Sequence, residues 1–319
     1  MLVLGINGSP RKKSNSGYLL STFLKEAEKL GARTRLVDVN TKNILPCREL
    51  IVCEKKGFCP IDDDMKTDVY SLLREADVII PATPIFFYNA TAQLKALIDR
   101  SQTLWARKYR LKISDPKSKI RQGFYLSVAA TRGKQLFEGL DLTMKYFFDA
   151  VDAGHGGSLT YRGVEHQGDM AKHPTMKEDV REAVQRLVGP LVKRKKVLFA
   201  GHQNACRSQM AAAFANYIAG DQIDAESGGN EPAQRIHPMV GKVMRERGVD
   251  MAFLRPYGLN PSAKADRIIQ FAGGEGDPES SKTEDVWDIA PPSEDDLEVF
   301  RRIRDDIEQR VQSLLTSIA

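Results

Sequence analysis

A strand, a polar loop and a helix follow one another in the stretch KKVLFAGHQNACRSQMAAAF, residues 195–214. Backbone N–H groups in such a loop and at a helix start point outward and bind anions. Three side chains add suitable groups: an amide at Asn204, a guanidinium at Arg207 and a hydroxyl at Ser208. The pattern therefore predicts a site for a phosphate-sized anion at these residues.

A second anion site is predicted near the start of the chain, in NGSPRKKSNSGYLL, residues 7–20. This segment joins an apolar strand to an amphipathic helix. It gathers hydroxyls, a basic cluster and a glycine at the helix start, and these groups suit a phosphate. The segment matches neither the Walker pattern nor the dinucleotide glycine fingerprint, which argues against an NTPase and against a standard nicotinamide domain.

Two further loops carry groups that suit a planar ring. Residues 81–100, PATPIFFYNATAQLKALIDR, place an apolar run from Pro84 to Tyr88 just before an amphipathic helix. The loop AATRGKQ, residues 129–135, adds a short polar turn. The aromatic run predicts a contact with a flat ring system, and the alternative is that its side chains belong to the core.

Short apolar strands alternate with helical patterns over residues 1–194, which predicts a parallel sheet covered on both faces. Five strands favour a flavodoxin-like arrangement, in which ligands bind beyond the carboxyl ends of the strands. The alternation restarts at KKVLFAG and predicts a smaller α/β unit of about four strands. The predicted helices span 17–30, 65–75, 91–103, 134–149, 175–194, 207–219, 236–247 and 293–316.

Length and composition fit two globular domains, residues 1–194 and 195–319. The first holds 32 Lys and Arg against 22 Asp and Glu, and the second holds 15 against 20. The positive charges are scattered, which favours a solvated surface over nucleic-acid binding. No apolar run reaches the roughly 18 residues that cross a bilayer. We therefore expect a cytoplasmic protein that makes no contact with a membrane. Residues 273–285, GGEGDPESSKTED, have the composition of a mobile loop.

The motifs of the first domain resemble the NADPH-dependent FMN reductase and iron–sulfur flavoprotein family of flavodoxin-like proteins. The resemblance rests on GINGSPRKKSNSGYLL, LPCRELIVCEKKGFCPIDDDM and PATPIFFYNATAQLKALIDR, and it covers residues 1–190. It implies a bound FMN that carries the redox chemistry, with NAD(P)H as donor and a quinone, a flavin, a metal or a protein as acceptor. It also implies a homo-oligomer.

The same resemblance assigns side chains to the cofactor and implies no catalytic acid or base. The FMN phosphate would be held by residues of the first loop: Ser9, Arg11, Asn15, Ser16 and Gly17. The isoalloxazine would lie against residues of the aromatic loop: Pro84, Ile85, Phe86, Phe87 and Asn89. Its other edge would contact residues of the polar turn: Thr131, Arg132 and Gly133.

Three of the four cysteines fall in one loop, at Cys47, Cys53 and Cys59. Iron–sulfur members of the family carry four in this loop, and the position of the second is Leu50 here. Because a cubane cluster normally takes four thiolates, we interpret the loop as lacking a cluster. A cluster held by three cysteines and an outside ligand is the alternative. The clustering also argues against a secreted disulfide framework.

Residues 195–316 resemble the low-molecular-weight tyrosine phosphatases and the related arsenate reductases, whose first strand leads into a C-x5-R-S loop. The family's nucleophilic cysteine stands six residues before the arginine, and Gly201 occupies that position. The family's acid, the aspartate of a late DP pair, aligns with Pro291, and Asp288 lies three residues before it. The loop after ADRIIQF lacks the cysteine pair of the arsenate reductases. The resemblance therefore implies a unit that is catalytically inactive.

The two resemblances together imply an FMN-dependent oxidoreductase fused to an inactive phosphatase-like domain that binds an oxyanion, such as phosphate or arsenate, or a partner. Two alternatives stay open. One is a phosphatase or arsenate reductase that uses Cys206 or another nucleophile, and the other is an electron carrier or anion sensor without its own substrate. A purely structural role for the second domain, with Arg207 bonded to loop carbonyls, is also open.

Overall fold

The computed structural model describes residues 1–259, 265–272, 285–293 and 296–318. The chain divides into two compact units. The first comprises residues 1–113 and 118–193, and the second comprises residues 114–117 and 194–319. Apart from its last residue, the segment 273–285, predicted as a mobile loop, lies outside the described residues.

The first unit is built on a five-stranded parallel sheet. Its strands are β1 Leu2–Asn7, β2 Arg33–Asp38, β3 Val78–Pro84, β4 Gln122–Ala129 and β5 Gly154–Arg162. They lie in the order β2-β1-β3-β4-β5, which is the flavodoxin-like order and confirms the predicted fold. In such sheets the ligand site lies where the strand order reverses, here beyond the carboxyl ends of β1 and β3.

Eight α-helices belong to the first unit. They are α1 Asn15–Lys29, α2 Val52–Lys56, α3 Tyr70–Glu75, α4 Ala92–Arg100, α5 Gln102–Tyr109, α6 Glu138–Ala150, α7 Asp169–Lys172 and α8 Met176–Leu187. The sequence did not predict α2 and α7, because helices of five and four residues are too short to show a hydrophobic period.

Two helices predicted in this unit are interrupted. The helix predicted over 91–103 is two helices, α4 and α5, that meet at Ser101. The Ser101 hydroxyl donates to the carbonyl of Leu97 at 3.1 Å, and such bonds compete with the helical pattern. The helix predicted over 65–75 begins as a π-helical turn, Met65–Val69, which runs directly into α3.

The helix predicted over 175–194 also ends early, at Leu187. Gly189 and Pro190 follow, and proline cannot donate the backbone hydrogen bond that would continue a helix. Residues Leu191–Lys193 form a short 3-10 turn instead.

The core of the first unit lies between the sheet and the helix pair α1 and α8. Phe23 of α1 and Phe124 of β4 stack with ring centroids 6.1 Å apart. Strands β1, β3 and β4 are buried almost throughout, as expected for central parallel strands, whereas the edge strand β5 is largely exposed. The rigid central strands therefore fix the positions of the loops that follow them.

The second unit is built on a four-stranded parallel sheet in the order β7-β6-β8-β9, which confirms the predicted smaller α/β fold. Its elements are β6 Lys195–Gly201, α9 Arg207–Ala219, β7 Ile223–Gly229, α10 Pro238–Glu246, β8 Arg267–Ala272, β9 Asp285–Asp288 and α11 Leu297–Ile318. Helix α9 has the predicted bounds. The sequence left β9 unassigned because four residues, DVWD, carry no pattern, but Trp287 packs against Phe199 and Phe271.

Over the described part of the chain, none of the helices has the length and apolar character needed to span a bilayer.

Candidate functional site

The loop between β1 and α1 is fixed at both ends by hydrogen bonds. Gly8 donates its N–H to the carbonyl of Ala82 on β3 at 2.8 Å, and its own carbonyl accepts from the Thr91 hydroxyl at 2.6 Å. Ser14 caps α1, because its hydroxyl oxygen accepts from the Gly17 N–H at 3.0 Å. The loop is thus held against β3 before any ligand binds.

Ser16, at the start of α1 beside this loop, carries a buried polar side chain. It lies in the first turn of α1 and is 0% exposed, yet its hydroxyl has no hydrogen-bond partner among the described residues. A buried hydroxyl without a partner is costly, so such groups in native proteins usually mark an absent ligand or water. The first turn also presents backbone N–H groups that no carbonyl satisfies. An anionic acceptor bound here would pair with both.

The remaining predicted phosphate residues surround this turn. Ser9 is 2% exposed, and its hydroxyl accepts from the N–H of Arg11 at 3.3 Å. The Arg11 side chain is exposed and is followed by two exposed lysines, Lys12 and Lys13. Positive charge is therefore concentrated on the solvent side of the cradle.

Asn15 makes a different set of contacts from the one its position in the motif suggests. Its amide nitrogen donates to the carbonyl of His166 at 2.8 Å. Its amide oxygen accepts from the N–H groups of Gly168 and Met170, each at 3.2 Å. The side chain thus binds the segment that follows β5, and its contact with a phosphate stays a prediction.

The aromatic loop after β3 is a tight hairpin. Phe86 and Asn89 exchange two backbone hydrogen bonds, at 2.9 and 3.0 Å, around Phe87 and Tyr88. Both central residues have positive φ, 48° and 62°, a backbone that bulky residues rarely adopt. Asn89 also donates its amide to the Thr143 hydroxyl of α6 at 3.0 Å, which anchors the hairpin.

The aromatic side chains of this hairpin face solvent. Phe86 is 49% exposed, Phe87 is 102% exposed and Tyr88 is 53% exposed, so the alternative that they belong to the core is wrong. Pro84 and Ile85 are half-buried at the end of β3. Exposed aromatic rings on a constrained turn are available to a planar ligand or to a second protein surface.

The polar turn after β4 lies beside this hairpin. Thr131 and Arg132 are exposed and Gly133 is half-buried. A Cβ atom at Gly133 would lie 3.5 Å from the Tyr88 hydroxyl oxygen. Because β1, β3 and β4 are adjacent in the sheet, the three predicted loops meet at its carboxyl edge.

The sequence reasoning missed two residues that shape the cradle. The amide of Asn40, which follows β2, donates to the Ser9 carbonyl at 2.5 Å. Thr91, the N-cap of α4, holds Gly8 as described above. Both lie where a strand ends or a helix begins at the carboxyl edge, and that position was the available signal.

The cysteine loop, residues 46–62, is closed at its base by a buried ion pair. Asp63 and Arg100 make two hydrogen bonds, at 2.5 and 3.1 Å, with both side chains 0% exposed. Arg100 also donates to the carbonyl of Leu45 at 2.8 Å, and Asp63 accepts from the Leu45 N–H at 3.0 Å. One ion pair therefore ties the two ends of the loop to each other and to α4.

Within the loop, Cys47 is exposed and Cys53 and Cys59 are partly buried. Burial raises the pKa of Cys53, and the nearby thiols of Cys59 and Cys47 add to the rise. Over the described ranges, no group of three or more His, Cys, Asp or Glu residues is arranged to hold a metal ion. Leu50 stands where a fourth thiol would be, so the interpretation of this loop as lacking a cubane cluster stays a prediction.

In the second unit, the loop between β6 and α9 is organised by Asn204. This residue has φ of 51° and is 2% exposed. Its amide donates to the Ser208 hydroxyl at 3.0 Å, and its amide oxygen accepts from Gln209 at 2.8 Å and from the Tyr257 N–H at 2.9 Å. Asn204 and Ser208 therefore hold the shape of the loop, and their contact with an anion stays a prediction.

Arg207 lies at the wall of this loop. One guanidinium nitrogen donates to the carbonyls of Ala272 at 3.0 Å and Ile289 at 2.7 Å, at the ends of β8 and β9. The guanidinium also lies over the Phe271 ring, 5.6 Å from its centroid. Arg207 thus connects the loop to two neighbouring strands. A purely structural role for this unit, with Arg207 bonded to backbone carbonyls, predicts such contacts.

The loop encloses a cavity of about 530 Å³. Its lining includes Gly201, Cys206, His202, His237 and Pro291. Gly201 and Pro291, which the sequence predicts at the positions of the family's nucleophile and acid, both line this cavity. Burial raises the pKa of the Cys206 thiol to about 12, so this thiol stays protonated at neutral pH. The Nδ1 atom of His202 is buried and has no partner among the described residues.

The two folds define a flavodoxin-like unit, joined in one chain to a smaller phosphatase-like α/β unit. Residues 1–120 match the family model of the NADPH-dependent FMN reductases, and residues 196–319 match that of the low-molecular-weight phosphotyrosine protein phosphatases.

Individual relatives match each unit. The iron–sulfur flavoprotein of Methanosarcina thermophila is 33% identical over 58% of this chain and 98% of its own length. The glutaredoxin arsenate reductase of Synechocystis sp. is 33% identical over 39% of this chain and 99% of its own length. A solved arsenate reductase in its phosphate-binding state is 29% identical, covers 39% of this chain and 99% of its own, and superposes with a TM-score of 0.36.

The chain therefore belongs to the FMN reductase and iron–sulfur flavoprotein family in its first unit and to the low-molecular-weight phosphatase family in its second. Both predicted resemblances are confirmed. The matches to several other iron–sulfur flavoproteins span only about half of those proteins' lengths.

Proposed function

We propose that this protein is an FMN-dependent oxidoreductase that takes electrons from NAD(P)H and passes them to a quinone, a flavin, a metal or a protein acceptor. The observation that carries the proposal is Ser16, a fully buried hydroxyl without a partner among the described residues, in the first turn of α1. A phosphate oxygen is the acceptor that this hydroxyl and the adjacent N–H groups suit.

Bound FMN supplies the redox chemistry, and the chain supplies binding and orientation. Ser9 and Ser16 would hold the phosphate by hydroxyl and backbone N–H groups, and Arg11 would add positive charge. The Phe86–Asn89 hairpin and the 131–133 turn would contact the ring. The hydrogen bond from Asn89 to Thr143 anchors the hairpin to α6 and would keep its position relative to the ring fixed.

The proposal is tested by adding NADPH or NADH to the flavin-loaded protein without oxygen and following the visible absorption of the flavin. Bleaching, followed by recovery with a quinone or a ferric acceptor, is the expected result. If neither nucleotide bleaches the flavin but dithionite does, the electron-carrier alternative replaces the reductase.

For the second unit we propose an inactive phosphatase-like site that binds an oxyanion such as phosphate or arsenate. The support is the cavity beside this loop, Arg207 at its wall and the buried Nδ1 of His202, which has no partner among the described residues. Calorimetry with phosphate, arsenate and sulfate on the wild type and on His202→Ala tests this proposal. Absence of saturable heat with all three anions would leave the purely structural role, or a partner protein, as the function of this unit.

Cys206 is expected to be unreactive in the folded protein. Its pKa of about 12, against an ordinary value of 9.0, lowers the thiolate population about a thousandfold at pH 8. Iodoacetamide at pH 8 should therefore modify the exposed Cys47 quickly and Cys206 only after unfolding, as read by peptide mass spectrometry. Rapid labelling of Cys206 in the folded protein would revive the alternative in which it acts as the nucleophile.

The proposal also covers the location and the oligomeric state of the protein. We place the protein in the cytoplasm, because its four cysteines are all unpaired thiols and a clustered arrangement does not suit a secreted framework. We also propose a homo-oligomer, which would cover the exposed aromatic hairpin. Sedimentation of the flavin-loaded protein reports the oligomeric state.

A further inference from the structure

The segment that follows β5, residues 163–170, was not among the loops predicted to contact a ligand. Its far end is bound to the phosphate cradle by Asn15, through the carbonyl of His166 and the N–H groups of Gly168 and Met170. Three hydrogen bonds from one amide side chain to backbone atoms more than 150 residues away fix this segment against the first turn of α1.

The near end of the segment contacts the polar turn after β4. Val164 donates its N–H to the Ala129 carbonyl at 2.9 Å and is 6% exposed. A Cβ atom at Gly163 would lie 3.1 Å from the Arg132 guanidinium, so the arginine rests against this glycine. Residues 163–170 thus run from the turn predicted at the ring edge to the loop predicted at the phosphate.

The segment is also braced internally. One carboxylate oxygen of Asp169 accepts from the N–H groups of Glu165 at 3.1 Å and His166 at 2.7 Å, and these bonds lower the pKa of Asp169. Gly168 has φ of 91°, in the left-handed region that residues other than glycine adopt only with strain. The backbone is therefore held in one conformation, with the His166 side chain exposed to solvent.

We propose that residues 163–170 form a further wall of the flavin site, along the part of FMN between its ring and its phosphate, and that Asn15 is a positioning residue that holds this wall. The inference rests on the proposed function of the first unit and deepens it. It changes the role of Asn15 from a phosphate ligand to the connection between two loops of one binding site.

The test uses the full-length protein stripped of FMN, with FMN affinity measured by quenching of FMN fluorescence. Gly168→Ala strains the wall without a steric clash, since no atom of the described residues lies within 4 Å of the added Cβ. If binding needs this backbone conformation, the variant binds FMN about tenfold more weakly, because positive φ disfavours alanine by about this factor.

Gly31→Ala is the matched control. Gly31 has φ of 93°, also has no neighbour within 4 Å of an added Cβ, and follows the opposite end of α1. Gly31→Ala introduces the same backbone strain as Gly168→Ala, but at a position away from the proposed wall. The FMN affinity of Gly31→Ala is therefore expected to stay within twofold of wild type.

A double-mutant cycle separates positioning from direct contact. If Asn15 acts through the wall, Asn15→Ala combined with Gly168→Ala binds FMN about as weakly as Asn15→Ala alone. If Asn15 contacts the phosphate independently, the two losses multiply, and the inference is wrong.

Hydrogen exchange gives a readout that does not depend on activity. FMN is expected to slow amide exchange in residues 163–170 of the wild type, and much less in Asn15→Ala. Tight FMN binding with unchanged exchange in this segment, and equal affinities for Gly168→Ala and Gly31→Ala, would overturn the inference and leave the flavoprotein intact. Failure of the wild type to bind FMN would overturn both.

Discussion

Ser16→Asp is expected to weaken FMN binding by about 100- to 1,000-fold. The substitution places a carboxylate at a buried position beside the proposed phosphate site. Two like charges about 4 Å apart repel by about 4 kcal/mol at an effective dielectric constant of about 20, which corresponds to about a thousandfold in affinity. Fluorescence titration of the FMN-free protein measures the effect, and high salt should relieve only part of it because the site is buried.

Two further variants make the Ser16 result specific. Ser21→Asp, on the exposed side of the same helix, should bind FMN within twofold of wild type. Ser16→Ala should bind FMN about tenfold more weakly, since it loses one hydrogen bond to a charged acceptor. Without FMN it should be as stable as wild type, or more stable by up to about 1 kcal/mol, because it removes a buried hydroxyl that has no partner among the described residues. Equal FMN affinity in all three variants would contradict the placement of the phosphate.

Asp63→Ala is expected to lower the free energy of unfolding of the first unit by about 3–5 kcal/mol. It leaves the fully buried Arg100 without its carboxylate, and an unpaired buried charge costs about this much. The hydrogen bond that the Leu45 N–H donates to Asp63 is lost with it. Urea denaturation followed by circular dichroism measures the change.

The neighbouring aspartate supplies the control. Asp62 pairs with Lys66 at 2.8 Å with its side chain 80% exposed, so Asp62→Ala should leave the denaturation midpoint nearly unchanged. The double variant Asp63→Leu with Arg100→Met should recover most of the loss, because apolar residues of similar volume replace buried ion pairs without a large penalty. If Asp63→Ala unfolds at the same urea concentration as Asp62→Ala, the ion pair does not hold the loop.

Much of the fold could be predicted because the alternation of apolar strands and amphipathic helices is dictated by burial. Central strands such as β1 and β3 read as continuous apolar runs, and α9 was predicted with its observed bounds. The interruption of a predicted helix and the shortest strand could not be predicted in the same way. Ser101 interrupts a helical pattern through a hydroxyl that bonds to Leu97, and β9 is defined by its pairing with β8 rather than by its own four residues.

The candidate site was likewise predictable only in part. Motif position identified the three loops at the carboxyl edge, since parallel strands bring their ends together. It could not show that Asn15 binds the backbone of residues 166–170, because that contact depends on the path of the chain after β5. Nor could it show that Phe87 and Tyr88 occupy the centre of a turn with positive φ, since both residues disfavour that conformation.

The buried ion pair at the base of the cysteine loop was also beyond sequence reasoning. Asp63 is one of three consecutive aspartates, and nothing in the letters distinguishes it from Asp62 or Asp64. Only the packing of α4 places Arg100 against Asp63 while Asp62 remains at the surface. The loop can therefore keep its ends fixed with three cysteines in place of four.

The visible spectrum of the protein purified without oxygen tests the central claim most directly, because one trace reports both flavin and cluster. The account predicts a yellow protein with flavin bands, no broad absorption beyond them, and release of about one FMN per chain on denaturation. A colourless protein that takes up no added FMN would contradict the account.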